Sequence, residues 1–133
     1  MDIVSKEKRS EMMSKIRGKN TKPELVVRSL LHSMGYRFRL HRKDLPGTPD
    51  IVLPKYKTVI FVNGCFWHGH KGCPIYKPPK SNVQYWEEKI AKNKERDRIN
   101  TLLLQKLGWK VLEIWECELT DLYTLLSKLR HQL

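Results

Sequence analysis

The segment LPGTPDIVLPKYKTVIFVNGCFWHGH, residues 45–70, sets two short apolar runs around a turn and follows them with aromatic, histidine and cysteine residues. DIVL, from Asp50 to Leu53, reads as a short strand, residues 54–57 as a turn, and TVIFV, from Thr58, as a buried apolar strand. A turn this short makes the two strands antiparallel neighbours. Asp50, at the head of the first strand, then lies beside the end of the second, where Val62, Asn63, Gly64 and Cys65 follow.

Upstream, YRFRLH (36–41) alternates Tyr36, Phe38 and Leu40 with Arg37, Arg39 and His41, the period of a strand with one buried and one basic face. TKPELVVRSLLHSMG (21–35) carries helix signals: Thr21 as N-cap, Pro23 in the first turn, Glu24 three residues after the cap and Gly35 as the stop. Leu25, Val26, Leu30, Leu31 and Met34 are its expected apolar face, and another helix is expected before it. Downstream, the prolines of KGCPIYKPPKSN (71–82) make an ordered loop. Residues 82–107 are helical in pattern up to Gly108, with Ile90, Leu102, Leu103, Leu104 and Leu107 as expected core contacts. WKVLEIWE (109–116) is a further strand and residues 119–131 a closing amphipathic helix. A long helix before the last strand implies a right-handed crossover that sets this strand parallel to TVIFV. The expected fold is an α/β mixed central sheet flanked by helices, and it delivers Cys117 to the rim that already holds Asp50 and Cys65.

The composition says what this rim faces. The chain has 133 residues, 40% of them hydrophobic, which suits one core and not two ordinary domains. Its formal charge is +12, so a polyanion is the natural partner, and four Trp, five Tyr and three Phe argue against a disordered basic tail. Residues 36–80 hold nine Lys and Arg against Asp44 and Asp50, which concentrates positive charge on one surface. No apolar run approaches the ~18 residues of a membrane span, and the N-terminus lacks a signal-peptide core, so a soluble, cytoplasmic chain is expected.

Cys65, His70, Cys73 and Cys117 form a candidate zinc site, since thiolate and imidazole suit a borderline-soft cation and four such ligands close a tetrahedron. The other reading of free cysteines is as small buried hydrophobes. Asp50 reads either as a turn aspartate or as a ligand for Mg²⁺, a hard cation that favours carboxylate and phosphate oxygens. His68 has the chemistry of a general base near neutrality. Phe66 and Trp67 are consecutive aromatics in a loop, so at least one is expected to be exposed for stacking on bases. Trp86 either extends that platform or packs the core. Asn93 and Asp97 share a helix face, as Glu24 and Arg28 do, and Asp97 is either part of a solvated face or the partner that orients an imidazole.

PGTPD, IFVNGCFWHGH, YWEEKIAKNKERDR and GWKVLEIWEC together resemble the very-short-patch mismatch repair endonucleases, the Vsr family, over about Arg9 to Cys117. The resemblance implies a restriction-endonuclease-like three-layer core in which the second acidic residue and the lysine of the PD-(D/E)xK signature are missing; Val62 and Gly64 stand in those places. It implies Mg²⁺-dependent nicking on the 5′ side of the thymine in a T:G mismatch left by deamination of 5-methylcytosine. By position in the motifs, Asp50 and the Val62 backbone carbonyl resemble the Mg²⁺ ligands, His68 the histidine that activates water, and Asp97 its buttress. Asn93 and Glu24 match further polar site residues. Cys65, His70, Cys73 and Cys117 match structural zinc ligands, and Phe66, Trp67 and Trp86 an aromatic wedge.

The resemblance further implies a single endonuclease domain over 1–133, with 1–18 a mobile DNA-binding segment whose Met13 and Ile16 reach the minor groove. Its expected partners are T:G-containing duplex DNA, the mismatch-repair machinery and, functionally, a cytosine-5 DNA methyltransferase, for a monomer associated with the bacterial nucleoid. Two departures stand out: Asn63 replaces a histidine of relatives, and Lys71 and Gly72 separate His70 from Cys73 where one residue is the pattern. The rival readings are a non-catalytic, zinc-stabilised nucleic-acid-binding module and a restriction-type nuclease of matched DNA.

Overall fold

A computed structural model describes residues 21–70 and 72–133. Helix α1 (Lys22–Ser33) starts at Thr21, whose hydroxyl accepts from the Glu24 N–H (3.4 Å). Strands β1 (Arg39–Leu40), β2 (Ile51–Leu53) and β3 (Thr58–Asn63) follow. Helix α2 (Val83–Lys106) then leads to β4 (Lys110–Trp115) and, after a 3₁₀ turn at Glu116–Thr120, to α3 (Leu122–Gln132).

The sheet order is β1-β2-β3-β4, antiparallel between the first three strands and parallel between β3 and β4, as the turn lengths and the crossover helix require. Side chains alternate across it. Ile51, Leu53, Ile60, Leu112 and Ile114 pack against Val27 and Leu31 of α1 and Leu125 and Leu129 of α3. Val52 and Val59 on the opposite face pack with Leu104 of α2, Leu45 and Trp109. The sheet is therefore covered on both sides, in three layers, which is why β2 and the start of β3 read as continuous apolar runs. Truncating a buried leucine such as Leu31 or Leu104 to alanine is worth about 2–5 kcal/mol of stability.

Three expectations are corrected. The strand expected over 36–41 pairs only at Arg39↔Val52 and Leu40↔Ile51, with Leu40 exposed and Tyr36 and Phe38 half-buried. Its partner β2 has only three residues to pair with, and His41 turns away at φ 47°. On α1, Leu31 is buried and Leu30 and Met34 pack against the core as expected, but Leu25 is exposed and Glu24 and Val27 take the inner face beside Leu31. Of the five core contacts expected on α2, Ile90 and Leu104 are buried, whereas Leu102, Leu103 and Leu107 are exposed. A narrow sheet meets the long helix along one line, so residues off that line stay in solvent. The helix expected before α1 and the segment 1–18, with Met13 and Ile16, lie outside the described residues.

Candidate functional site

Asp50 stands immediately before β2, and the antiparallel register carries its carboxylate to the end of β3, where Oδ2 accepts the Val62 N–H at 2.8 Å. Burial pushes its carboxyl up to about 7, against the stabilising Val62 hydrogen bond; the neighbouring Glu24 carboxyl raises it further and His68 lowers it. Glu24, almost wholly buried in the first turn of α1, is paired with Arg28 and accepts from His41 Nε2 at 2.8 Å. A Glu24 oxygen, a His41 nitrogen and an Asp50 oxygen lie within 4.8 Å of one another.

Beyond β3 the chain makes a tight turn, with the His68 N–H on the Gly64 carbonyl (3.2 Å) and the His70 N–H on the Cys65 carbonyl (2.8 Å). The two histidines go to different tasks. His68 Nδ1 lies 2.5 Å from Asp97 Oδ2 on α2, while His70 Nδ1 lies 3.6 Å from Cys65 Sγ and 3.4 Å from Cys117 Sγ. Between them Gly69 is buried at φ +62°, and a Cβ there would fall 2.5 Å from both Ile90 and Lys94. Only glycine lets the loop lie this close to α2.

Asp50, Val62, Asn63, His68, Asn93 and Asp97 all line one cavity of about 760 Å³. Lys89 and Arg96 of α2 also line it and supply positive charge at its wall. Asn93 donates through Nδ2 to the Trp67 carbonyl (2.9 Å), so it ties the aromatic loop to α2.

Phe66, Trp67 and Trp86 pack edge-to-face on one another at centroid separations of 5.2–5.5 Å. Tyr76 stacks on Phe66 and Tyr85 abuts Trp86. None of these rings belongs to either hydrophobic core, so Trp86 extends the aromatic platform. Phe66 and Trp67 are both half-buried, each partly shielded by the other, and neither is fully exposed; Tyr85 is the most exposed ring of the group.

The ligand atoms of Cys65, His70, Cys73 and Cys117 also lie within 4.8 Å of one another. The two sulfur–nitrogen separations, 3.6 and 3.4 Å, match the ~3.4–3.8 Å edges of a tetrahedron built on Zn–S and Zn–N bonds. The donor set, one imidazole and three thiols, fits a structural zinc ion. Burial pushes the Cys65 thiol up to about 12, so thiolate there calls for a cation. His70 stacks flat on Trp115 (4.1 Å, 12°), and the Glu116 carboxylate accepts the Cys65 N–H at 3.3 Å, tying the loop to the end of β4. The extra residue between His70 and Cys73 leaves this convergence intact.

The DNA mismatch endonuclease Vsr family model matches residues 1–73. This chain belongs to the Vsr family. It is 46% identical to the DNA mismatch endonuclease Vsr of Escherichia coli K12 over 118 residues, covering 89% of this chain and 75% of that protein. It is 56% identical to the type II nicking enzyme V.XorIIP of Xanthomonas oryzae pv. oryzae over 130 residues, covering 98% and 95%. Among solved structures, the catalytic domain of the homing endonuclease I-Bth0305I superposes with a TM-score of 0.50 over 84% of this chain and 92% of that one, at 22% identity. That likeness is one of fold, an α/β nuclease fold. Vsr membership makes the chain a DNA mismatch nicking endonuclease and implies a divalent metal, and the Cys/His cluster is a candidate metal site of its own. Among the described residues no helix is long and apolar enough to cross a membrane.

His41 and Glu116, like Lys89 and Arg96 in the cavity wall, are site neighbours that sequence reasoning passed over. In the alternating pattern of 36–41, His41 read as one more basic-face residue, and Glu116 as the end of a strand. Both are placed by contacts across 17 and 51 residues of chain, for which local spacing holds no signal.

Proposed function

We propose that this endonuclease nicks one strand on the 5′ side of the thymine in a T:G mismatch, in a Mg²⁺-dependent phosphodiester hydrolysis that opens short-patch repair. The observation that carries the reading is the convergence of Asp50, the His68–Asp97 pair and Trp67 of the aromatic platform on one cavity. Asp50 and the Val62 carbonyl would hold Mg²⁺, which supplies charge stabilisation for the pentacoordinate phosphorus and the departing 3′ oxygen.

The chain's own residues do the rest. Asp97 fixes the proton of His68 on Nδ1, which leaves Nε2 as the base that takes a proton from water as its oxygen attacks phosphorus in line. The P–O3′ bond breaks and the departing oxygen takes a proton from solvent water, giving a 5′-phosphate and a 3′-hydroxyl. Asn63 offers a hydrogen bond in the cavity and no titrating proton, so His68 is the histidine of this chemistry. Phe66, Trp67 and Trp86 present ring faces to an unstacked step, and a mismatched step is the cheapest to unstack. Lys89 and Arg96 bind phosphates in a salt-sensitive manner. Cys65, His70, Cys73 and Cys117 would hold Zn²⁺ and pin the wedge loop to the sheet. Functional dependence on a cytosine-5 methyltransferase follows from where such mismatches arise.

The test is a labelled duplex carrying a single T:G pair, incubated with the full chain and Mg²⁺ beside a matched T:A duplex and the Asp50→Ala variant. A nick just before the thymine, absent from the T:A duplex and lost in the variant, supports the reading. Equal cutting of both duplexes supports a restriction-type nuclease of matched DNA, and binding without cutting a non-catalytic module.

A further inference from the structure

Glu24 is almost wholly buried, yet it is not a lone carboxylate in the core. Arg28, one helical turn further along α1, pairs with one oxygen, and His41 Nε2 donates to the other at 2.8 Å. His41 is itself anchored at Asp50, because its main-chain N–H donates to the Asp50 carbonyl at 3.2 Å. One residue thus holds the backbone of the first carboxylate and the side chain of the second. Its backbone is left-handed, φ 47°, just beyond the end of β1, and the ring reaches Glu24 on α1 while the amide bonds Asp50. The two carboxylates come within 4.8 Å of each other and of the His41 ring. Two like charges at that range repel, so some group must set where the second one stands.

We propose that His41 is a positioning residue for the divalent cation: with Arg28, it holds the Glu24 carboxylate beside Asp50, where it can accept hydrogen bonds from the cation's water shell. This rests on the reading of Asp50 as a cation ligand. Mg²⁺ keeps several waters and is held by few carboxylates, so a second, oriented carboxylate raises affinity without a direct bond. The role belongs to the imidazole's donor atom, and an amide nitrogen at the same reach would serve.

The experiment compares wild type with His41→Ala, His41→Gln and Asp50→Asn in the full chain. Two readouts are used: nicking of a T:G duplex against Mg²⁺ concentration, and Mn²⁺ binding by electron paramagnetic resonance without DNA. His41→Ala is expected to raise both the half-saturating Mg²⁺ and the Mn²⁺ dissociation constant about ten-fold, with the rate at saturating metal and the KM for DNA near wild type. His41→Gln is expected to restore both. Should His41→Ala fail to melt cooperatively, His41→Asn, one methylene too short to reach Glu24, takes its place. Unchanged metal dependence in the alanine or asparagine variant, or a glutamine variant as impaired as alanine, overturns the proposal. Loss of Mn²⁺ binding in Asp50→Asn together with unchanged dependence at position 41 removes only the role of His41. Wild-type Mn²⁺ binding in Asp50→Asn removes Asp50 as the ligand and the proposal with it.

Discussion

His68 and Asp97, 29 residues apart, meet at 2.5 Å because the turn after β3 is pressed onto α2 with only Gly69 between the two histidines. A carboxylate on Nδ1 settles the imidazole's tautomer. If His68 is the base, His68→Ala lowers the single-turnover nicking rate by roughly 10²–10⁴-fold with duplex binding retained. Asp97→Asn leaves the ring in place and reverses the preferred tautomer, so it too lowers the rate and not the affinity. Rapid-quench nicking beside a gel-shift titration checks both.

Gly69→Ala tests the packing that brings these groups together. The left-handed backbone costs alanine roughly 1–2 kcal/mol, and its Cβ meets Ile90 at 2.5 Å in addition. A lower Tm is expected, with nicking impaired more than stability alone explains, since both His68 and His70 are displaced. Thermal melts and nicking of the same preparation decide it.

The Asp50 carboxyl, raised to about 7 mainly by burial, has two consequences of defined sign. Below about 7 a proton competes with the cation, so the half-saturating Mg²⁺ concentration falls as pH rises through 7 and then levels off. The folded state binds this proton more tightly than the unfolded chain does. The stabilisation it brings is therefore complete below about 4 and is lost as pH rises through 7. Asp50→Asn, neutral throughout, is expected to melt higher than wild type at pH 8 by a margin that shrinks at pH 5. Calorimetric melts at the two pH values, without divalent metal, report the difference.

A zinc ion at Cys65, His70, Cys73 and Cys117 predicts one equivalent of zinc per chain by elemental analysis. Cys117→Ser is expected to lose the metal and lower the Tm, because the ion links the turn after β3 to the end of β4. Nicking falls with it even though none of the four residues lines the cavity that holds Asp50 and His68. Retained zinc in that variant would contradict the assignment.

Asn93 holds the Trp67 carbonyl, so Asn93→Ala is expected to act on the wedge. Discrimination between T:G and T:A duplexes should fall by more than the rate on the T:G duplex does, as it should for Trp67→Ala. Competition between the two duplexes measures this ratio directly.

Much of this architecture was legible in the chain. The short turn at residues 54–57 and the helix before WKVLEIWE dictated antiparallel and parallel pairing in turn, and that order alone brings Asp50 and Cys117 to the end of β3. The Cys/His cluster is legible because the chain has three cysteines, two of them spaced around His70 and the third delivered to the same rim by the strand order. Which leucines of α2 are buried was not, since Leu102, Leu103 and Leu107 differ from Leu104 only in the angle at which the helix meets the sheet. For the same reason Leu30, Leu31 and Met34 were legible on the inner face of α1, whereas in its first turns Glu24 and Val27 point inward and Leu25 does not.

Local spacing in this protein determined element order, strand direction and the family of the site, because turn chemistry and hydrophobic period act within a few residues. Tertiary structure decided between the two readings of Asp97 by setting it against His68, and it alone placed Asn93 on the Trp67 carbonyl and His41 between Glu24 and Asp50. Those contacts depend on how two helices are rotated against a sheet, and that rotation is set by the packing of the whole core.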